Sequence, residues 1–192
     1  MTKQKLILAS SSPRRLQILN NLGFAPDEVI AADIDETPRK GEKPEAYCKR
    51  IAIEKAEKIA SEHSGSFIVA GDTIAAVGTR ILGKANNAAE AKGILQLMSG
   101  RRHKVYSAVT VISDKGEMRS RMTVNAVKFK RMTDEEIDAY VATNHWQGKA
   151  GAYGLQEDPG GFVISINGSF SGIIGLPAYE TKSLLVGLGF KR

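Results

Sequence analysis

Leu6-Ile7-Leu8-Ala9-Ser10-Ser11-Ser12-Pro13-Arg14-Arg15 is the stretch that decides the fold. Four apolar residues followed by three serines and a proline predict a short buried strand, a loop and the start of a helix. Ser12 suits the N-cap and Pro13 the first helical position. The helix then runs through Leu16-Gln17-Ile18-Leu19-Asn20-Asn21-Leu22 and stops at Gly23. Arg14 and Arg15 therefore stand in its first turn, where the helix dipole favours carboxylates and not cations. An anion resolves the conflict. A strand–loop–helix junction offers free backbone N–H groups, and arginine adds bidentate contacts to phosphate. The other reading is an exposed, solvated pair of arginines.

Outward from this junction, strand-like and helix-like segments alternate. Residues 5–9 read as a strand and 13–23 as a helix. Residues 28–32 read as a second strand leading into the polar loop Asp33-Ile34-Asp35-Glu36-Thr37-Pro38. A long helix fills 44–63, and the nearly continuous apolar run from Phe67 to Val77 reads as a buried strand. Residues 86–98 form a helix ending at Ser99-Gly100. Two long strands, 103–113 and 119–131, meet at the hairpin signal Asp114-Lys115-Gly116. Thr133-Asp134-Glu135-Glu136 is a capping box opening a helix to about Thr143. A strand near 161–167 and a helix from Pro177 to Leu188 complete the chain. The pattern predicts a mixed α/β (α+β) fold, with helices packed on a mixed sheet, and one domain over residues 1–192.

The 192 residues suffice for a proper core, and 42% apolar with 25% charged residues is ordinary for a globular protein. A single cysteine, Cys48, allows no internal disulfide. With no apolar leader and no membrane-length run, this predicts a cytoplasmic protein without a membrane partner. The net charge of +6 points to an anionic partner. The basic residues are scattered rather than blocked or interleaved with aromatics, so nucleic acid is not expected. His63, His103 and His145 lack zinc-ligand spacing, and there is no Walker A or GxGxxG pattern. Gly168-Ser169-Phe170-Ser171-Gly172 is not a nucleophile elbow, because its centre is phenylalanine.

Three further places put charge or glycine where local rules discourage them. Lys55 falls inside the apolar stripe Cys48, Ile51, Ala52, Ala56, Ile59 of the long helix. Its stem can cross apolar surface while the ammonium reaches either a polar opening or the stripe's solvated edge. Asp72 interrupts the apolar strand at Gly71-Asp72-Thr73, a costly position without a cation, donors or a metal. It is either a functional carboxylate or the structural partner of a buried arginine. The segment Gly148-Lys149-Ala150-Gly151-Ala152-Tyr153-Gly154-Leu155-Gln156 combines turn-forming glycines with an ammonium and an amide.

Taken together with Asp35-Glu36, Glu54-Lys55-Ala56, Gly83-Lys84, Ser99-Gly100 and Gly175-Leu176-Pro177, these stretches resemble the Maf family of nucleoside triphosphate pyrophosphatases over nearly the whole chain. The resemblance implies an elongated mixed sheet with a central cleft, similar to inosine triphosphate pyrophosphatases. It implies hydrolysis of a triphosphate to the monophosphate and pyrophosphate, a divalent cation (Mg²⁺ or Mn²⁺), and a homodimer. Asp72 matches the proton-acceptor position. Glu36 and Asp72 are the expected metal or water partners, because Mg²⁺ favours one or two carboxylates plus phosphate oxygens. Arg15, Lys55 and Lys84 are expected on the triphosphate, and Ser12 and Lys149 are expected to bind the substrate. Arg14, Thr73 and Gln156 match the positions that mark the dTTP/UTP type. Two places depart from the family pattern, Tyr106-Ser107-Ala108-Val109 and Glu157-Asp158-Pro159. The alternative is a nucleotide-binding regulator of septum formation without turnover, which has no need of acids at 36 and 72.

Overall fold

The computed structural model describes residues 4–156 and 161–191, so Glu157-Asp158-Pro159 lie outside the described residues. The chain runs β1 (Leu6–Ala9), α1 (Pro13–Asn21), β2 (Glu28–Ile30), α2 (Pro44–Glu62), β3 (Phe67–Val77), β4 (Arg80–Leu82) and α3 (Ala88–Met98). It continues with β5 (Arg102–Ile112), β6 (Met118–Phe129), α4 (Asp134–Ala142), β7 (Val163–Asn167), α5 (Phe170–Ile174) and α6 (Ala178–Gly187). The seven strands form a sheet in the order β2-β1-β3-β5-β6-β7, with β4 attached to β3. β1 lies parallel to both β2 and β3, and the other pairings are antiparallel. The mixed α/β architecture read from the sequence is the one observed. Among the described residues no helix is long and apolar enough to cross a membrane.

Two elements escaped the sequence reading. β4 has three residues and α5 has five, both too short for a periodic pattern to appear. The capping box of α4 forms as read, with Thr133 and Glu136 bonded reciprocally. Ser12 does occupy the N-cap of α1, followed by Pro13, but its side chain makes no capping hydrogen bond.

The cores explain where the site opens. On one face of the sheet, α2 packs along the even-numbered residues of β3: Ile68 and Ala70 with Ala56 and Ile59, then Ile74 and Ala76 with Ile51 and Ala52. The opposite face carries two separate clusters. Phe67 and Val69 pack with Ile18 and Leu19 of α1 and Leu184 and Leu185 of α6. Ala75 packs with Leu95 and Met98 of α3, Phe129 of β6 and Ile137 of α4. Gly71 and Thr73 belong to neither cluster and form the floor between them. One edge of β3 shows the same break. It pairs with β1 from Phe67 to Ala70 and with β4 from Ala75 to Val77, leaving Gly71–Ile74 uncovered on that side.

Candidate active site

A cavity of about 450 Å³ fills this break, within the range of small-molecule sites. Ser12, Arg14, Arg15, Glu36, Lys55, Thr73, Lys84, Lys149 and Gln156 all lie on its wall. Among the described residues the wall carries five cationic side chains and one carboxylate. Asp72 is brought to the same place but is not itself on the wall. As an even-numbered residue of β3 it points to the α2 face and sits behind Lys55.

The Lys55 ammonium joins the two acids. Its Nζ lies 2.9 Å from Glu36 Oε1 and 3.1 Å from Asp72 Oδ1. Lys55 and Asp72 are both buried, at 7% and 6% exposure, which accounts for a lysine inside an apolar stripe and an aspartate inside an apolar strand. Each offsets part of the cost of burying the other. Asp72 Oδ2 is buried and has no hydrogen-bond partner. Cys48 beneath it is no nucleophile: burial, with the Asp72 charge second, pushes its thiol far above its ordinary value.

The Ser10–Arg15 corner is built by contacts remote in sequence. The Arg15 Nε donates to the Gly175 carbonyl at 2.8 Å and its Nη1 to Ser10 Oγ at 3.1 Å. Burial lowers the Arg15 pKa, and the nearby Asp72 charge is the largest opposing effect. Gly71 beside it leaves room for the Ala108 carbonyl and the Leu176 side chain. A Cβ there would stand 3.0 Å from the Ala108 carbonyl, 3.1 Å from Leu176 Cδ1 and 3.6 Å from Arg15 Nε. On the far wall, Lys84 forms a bridge with Ala150, and Gly151 N–H is shared between the carbonyls of Leu82 and Gly83. This pins the glycine-rich segment to β4. Lys149 is buried and its ammonium donates to the His145 carbonyl. Gly154 leaves space for its stem, since a Cβ would come within 2.8 Å of Lys149 Cδ and Cε. Gln156 is exposed at the rim.

Some supporting residues were not read from the sequence. Tyr47 Oη donates to the Glu36 carbonyl at 2.8 Å. Ser107 and Gly175 both contact the Thr73 hydroxyl. His103 bonds the Tyr153 hydroxyl at 2.8 Å beneath the cavity. No local pattern bridges these sequence gaps, although Gly175 and Tyr153 stand in stretches that carry the family resemblance and Ser107 in one that departs from it.

The residues present fit a divalent cation bound together with a phosphorylated ligand. Glu36 Oε1 and Asp72 Oδ1 are no more than about 6 Å apart, because both contact one nitrogen, and Asp72 Oδ2 has unused acceptor capacity. Among the described residues no group of three or more His, Cys, Asp or Glu forms a metal cluster. Two carboxylates with phosphate oxygens completing the shell is the arrangement Mg²⁺ favours over an all-protein cage.

Comparison with known proteins agrees with this geometry. A dTTP/UTP pyrophosphatase of Hyphomonas neptunium is 51% identical, covering 97% of this chain and 97% of its own. Another, from Mesorhizobium japonicum, is 48% identical over 98% of this chain and 93% of its own. Among solved structures, a HAM1 protein from Coxiella burnetii superposes with a TM-score of 0.52 at 16% identity, covering 96% of this chain and 99% of that one, which shows a shared fold. The family described as Maf-like protein matches residues 5–188, which takes in every residue named on the cavity wall. The chain belongs to the Maf-like protein family.

Proposed function

We propose that the chain hydrolyses dTTP and UTP between the α and β phosphates, releasing the monophosphate and pyrophosphate. The observation that carries this reading is the wall itself. Five cations and a helix N-terminus without acids surround one cavity, with a half-coordinated carboxylate just behind it. The relatives described as dTTP/UTP pyrophosphatases support the same substrates.

Arg14, Arg15, Ser12 and the N–H groups of the first turn of α1 hold phosphate oxygens from one wall, and Lys84 does so from the other. Phosphoryl chemistry depends mostly on such positioning and charge compensation. Phosphate oxygens also compete for the Lys55 ammonium. As Lys55 turns toward phosphate, it uncovers the oxygens of Asp72 and Glu36. Asp72 then orients the attacking water and takes its proton, with Glu36 as the second acidic partner. A divalent cation held by Glu36 and Asp72 would supply charge neutralisation on the phosphates. Lys149 adds positive charge while its hydrogen bond holds the wall in shape. Gln156 can read the O4 and N3–H edge that uracil and thymine share. The family resemblance supports a cytoplasmic homodimer acting on free nucleotides rather than on nucleic acid.

A pyrophosphate-release assay over a panel of triphosphates, with and without Mg²⁺ or Mn²⁺, tests the reading. The expected outcome is preference for dTTP and UTP. Asp72→Asn should lower turnover by about 10²–10⁴-fold, the usual contribution of a general base, with the fold retained. A regulator that binds without turnover would release no pyrophosphate from any nucleotide. An Asp72→Asn variant of full activity with metal present would remove the role given to that carboxylate.

A further inference from the structure

Lys55, Asp72 and Glu36 meet at one ammonium, but they are not held alike. Lys55 and Asp72 are buried, whereas the Glu36 side chain is 41% exposed. Packing fixes the first two. The Glu36 carboxylate has to be placed by its own backbone, which belongs to the loop 31–43 between β2 and α2, without strand or helix. Two residues of α2 hold that backbone at and beside Glu36. Tyr47 Oη donates to the Glu36 carbonyl at 2.8 Å, and Arg50 Nη2 donates to the Thr37 carbonyl at 3.2 Å. The arginine bond is the longer, is exposed, and shares its nitrogen with Glu42. The tyrosine hydroxyl has a single proton to give, and the Glu36 carbonyl receives it. The Tyr47 ring is buried among Cys48, Ile51 and Ile74, with Ile34 of the same loop packed against that cluster. The Arg50 guanidinium lies over the ring, 5.4 Å from its centre. Burial, followed by the Asp72 and Glu36 charges, raises the Tyr47 pKa to about 12, so the proton stays on the oxygen at neutral pH.

We infer that Tyr47 is a positioning residue: through the Glu36 carbonyl it holds the Glu36 carboxylate beside Asp72, and so sets how tightly this pair takes a divalent cation. The inference rests on the proposed function and assigns part of its cation affinity to a residue that touches neither cation nor nucleotide. Arg14, Arg15 and Lys84 stand outside the loop, so their grip on phosphate is indifferent to the Tyr47 hydroxyl.

Tyr47→Phe removes the hydroxyl and keeps the ring. We would titrate the α,β-methylene analogue of dTTP, which cannot be split at that bond, by calorimetry in EDTA and at rising Mg²⁺. The proteins are the wild type, Tyr47→Phe, Glu36→Gln and the Tyr47→Phe/Glu36→Gln double variant. In EDTA the wild type and Tyr47→Phe should bind alike. Mg²⁺ should tighten binding to the wild type, and Tyr47→Phe should need about tenfold more Mg²⁺ for the same gain, the cost of losing a partner behind a metal-holding residue. Steady-state kinetics with dTTP should show the same shift in the Mg²⁺ needed for half-maximal rate, with kcat recovered at high Mg²⁺. On the Glu36→Gln background, Tyr47→Phe should cost nothing further. A tyrosine with only a structural role would lower affinity equally in EDTA and in Mg²⁺ and would add its loss to that of Glu36→Gln. Either result overturns the inference, and so does an unchanged Mg²⁺ requirement in Tyr47→Phe. Comparing two conditions within one protein keeps the test decisive if Tyr47→Phe is partly unfolded. A wild type indifferent to Mg²⁺ and Mn²⁺ in both binding and turnover removes the cation from the proposed function, and the inference with it. A wild type that binds more tightly in Mg²⁺ but splits no triphosphate removes the hydrolysis alone, and the calorimetric comparison still decides the role of Tyr47.

Discussion

Asp72 and Lys55 show how a costly residue becomes tolerable at the scale of single side chains. Each was visible in the sequence as a charge in an apolar run. Their pairing was not visible, because both faces of β3 are apolar and no alternation marks which way Asp72 points. His103 has no zinc-ligand spacing and has a different consequence. It is 1% exposed, lies edge-to-face against Phe129, and burial lowers its pKa from 6.5 to about 4. Between these values the unfolded chain binds the proton and the folded chain does not, so stability rises with pH across that window. The contribution is complete above pH 6.5 and is lost as pH falls toward 4, amounting to about 3 kcal/mol at most by the pKa difference. Urea unfolding of the wild type and His103→Asn at pH 7.5 and pH 5 checks this. The wild type should weaken toward pH 5, and the variant should show a flatter profile.

At the scale of elements, the best-read segments are those with strong local signals. β3 spans Phe67–Val77 as the apolar run indicated, and α4 starts at its capping box. The loop that carries Glu36 was legible only as polar. It is tied to α2 by a clasp. Arg50 Nε and Nη2 reach the two Glu42 oxygens at 2.6 and 2.7 Å, Nη1 reaches Glu54 Oε2 at 3.0 Å, and Nη2 donates to the Thr37 carbonyl at 3.2 Å. The guanidinium holds the Glu42 carboxyl down to about 2. The folded pKa is depressed, so this contribution is present above pH 4.5 and lost only as pH falls toward 2. A lysine keeps the charge and loses the planar fork. Arg50→Lys should therefore cut kcat/KM for dTTP about tenfold, in line with the loss of a partner that orients the proposed metal-holding Glu36. Glu42→Gln should do the same. The pair combined should do little more, and a double-mutant cycle in steady-state kinetics would reveal that coupling.

At the scale of the whole molecule, β3 and β5 tie the two clusters together. Their pairing runs without a break from Ile68↔Ile112 to Ala76↔Lys104, beneath both clusters. A chain with two separate apolar clusters on one face could melt in two steps. Shared strands predict one. Calorimetry should find a single transition whose calorimetric and van't Hoff enthalpies agree, and two resolved peaks would contradict it. The residues that line the cavity were legible in the sequence but this geometry was not, because the division of β3 between neighbours depends on the distant helices that cover it.

The floor at Gly71 and Thr73 has one more outcome. Ser12, Arg14 and Arg15 belong to the bank formed by the first cluster, while Lys84, Lys149 and Gln156 belong to the bank formed by the second. Each bank contributes two of the wall's cationic side chains, Arg14 and Arg15 on one side and Lys84 and Lys149 on the other. A nucleotide that spans the channel therefore acts as a cross-brace, and its grip is a property of the junction that no excised half of the chain could inherit.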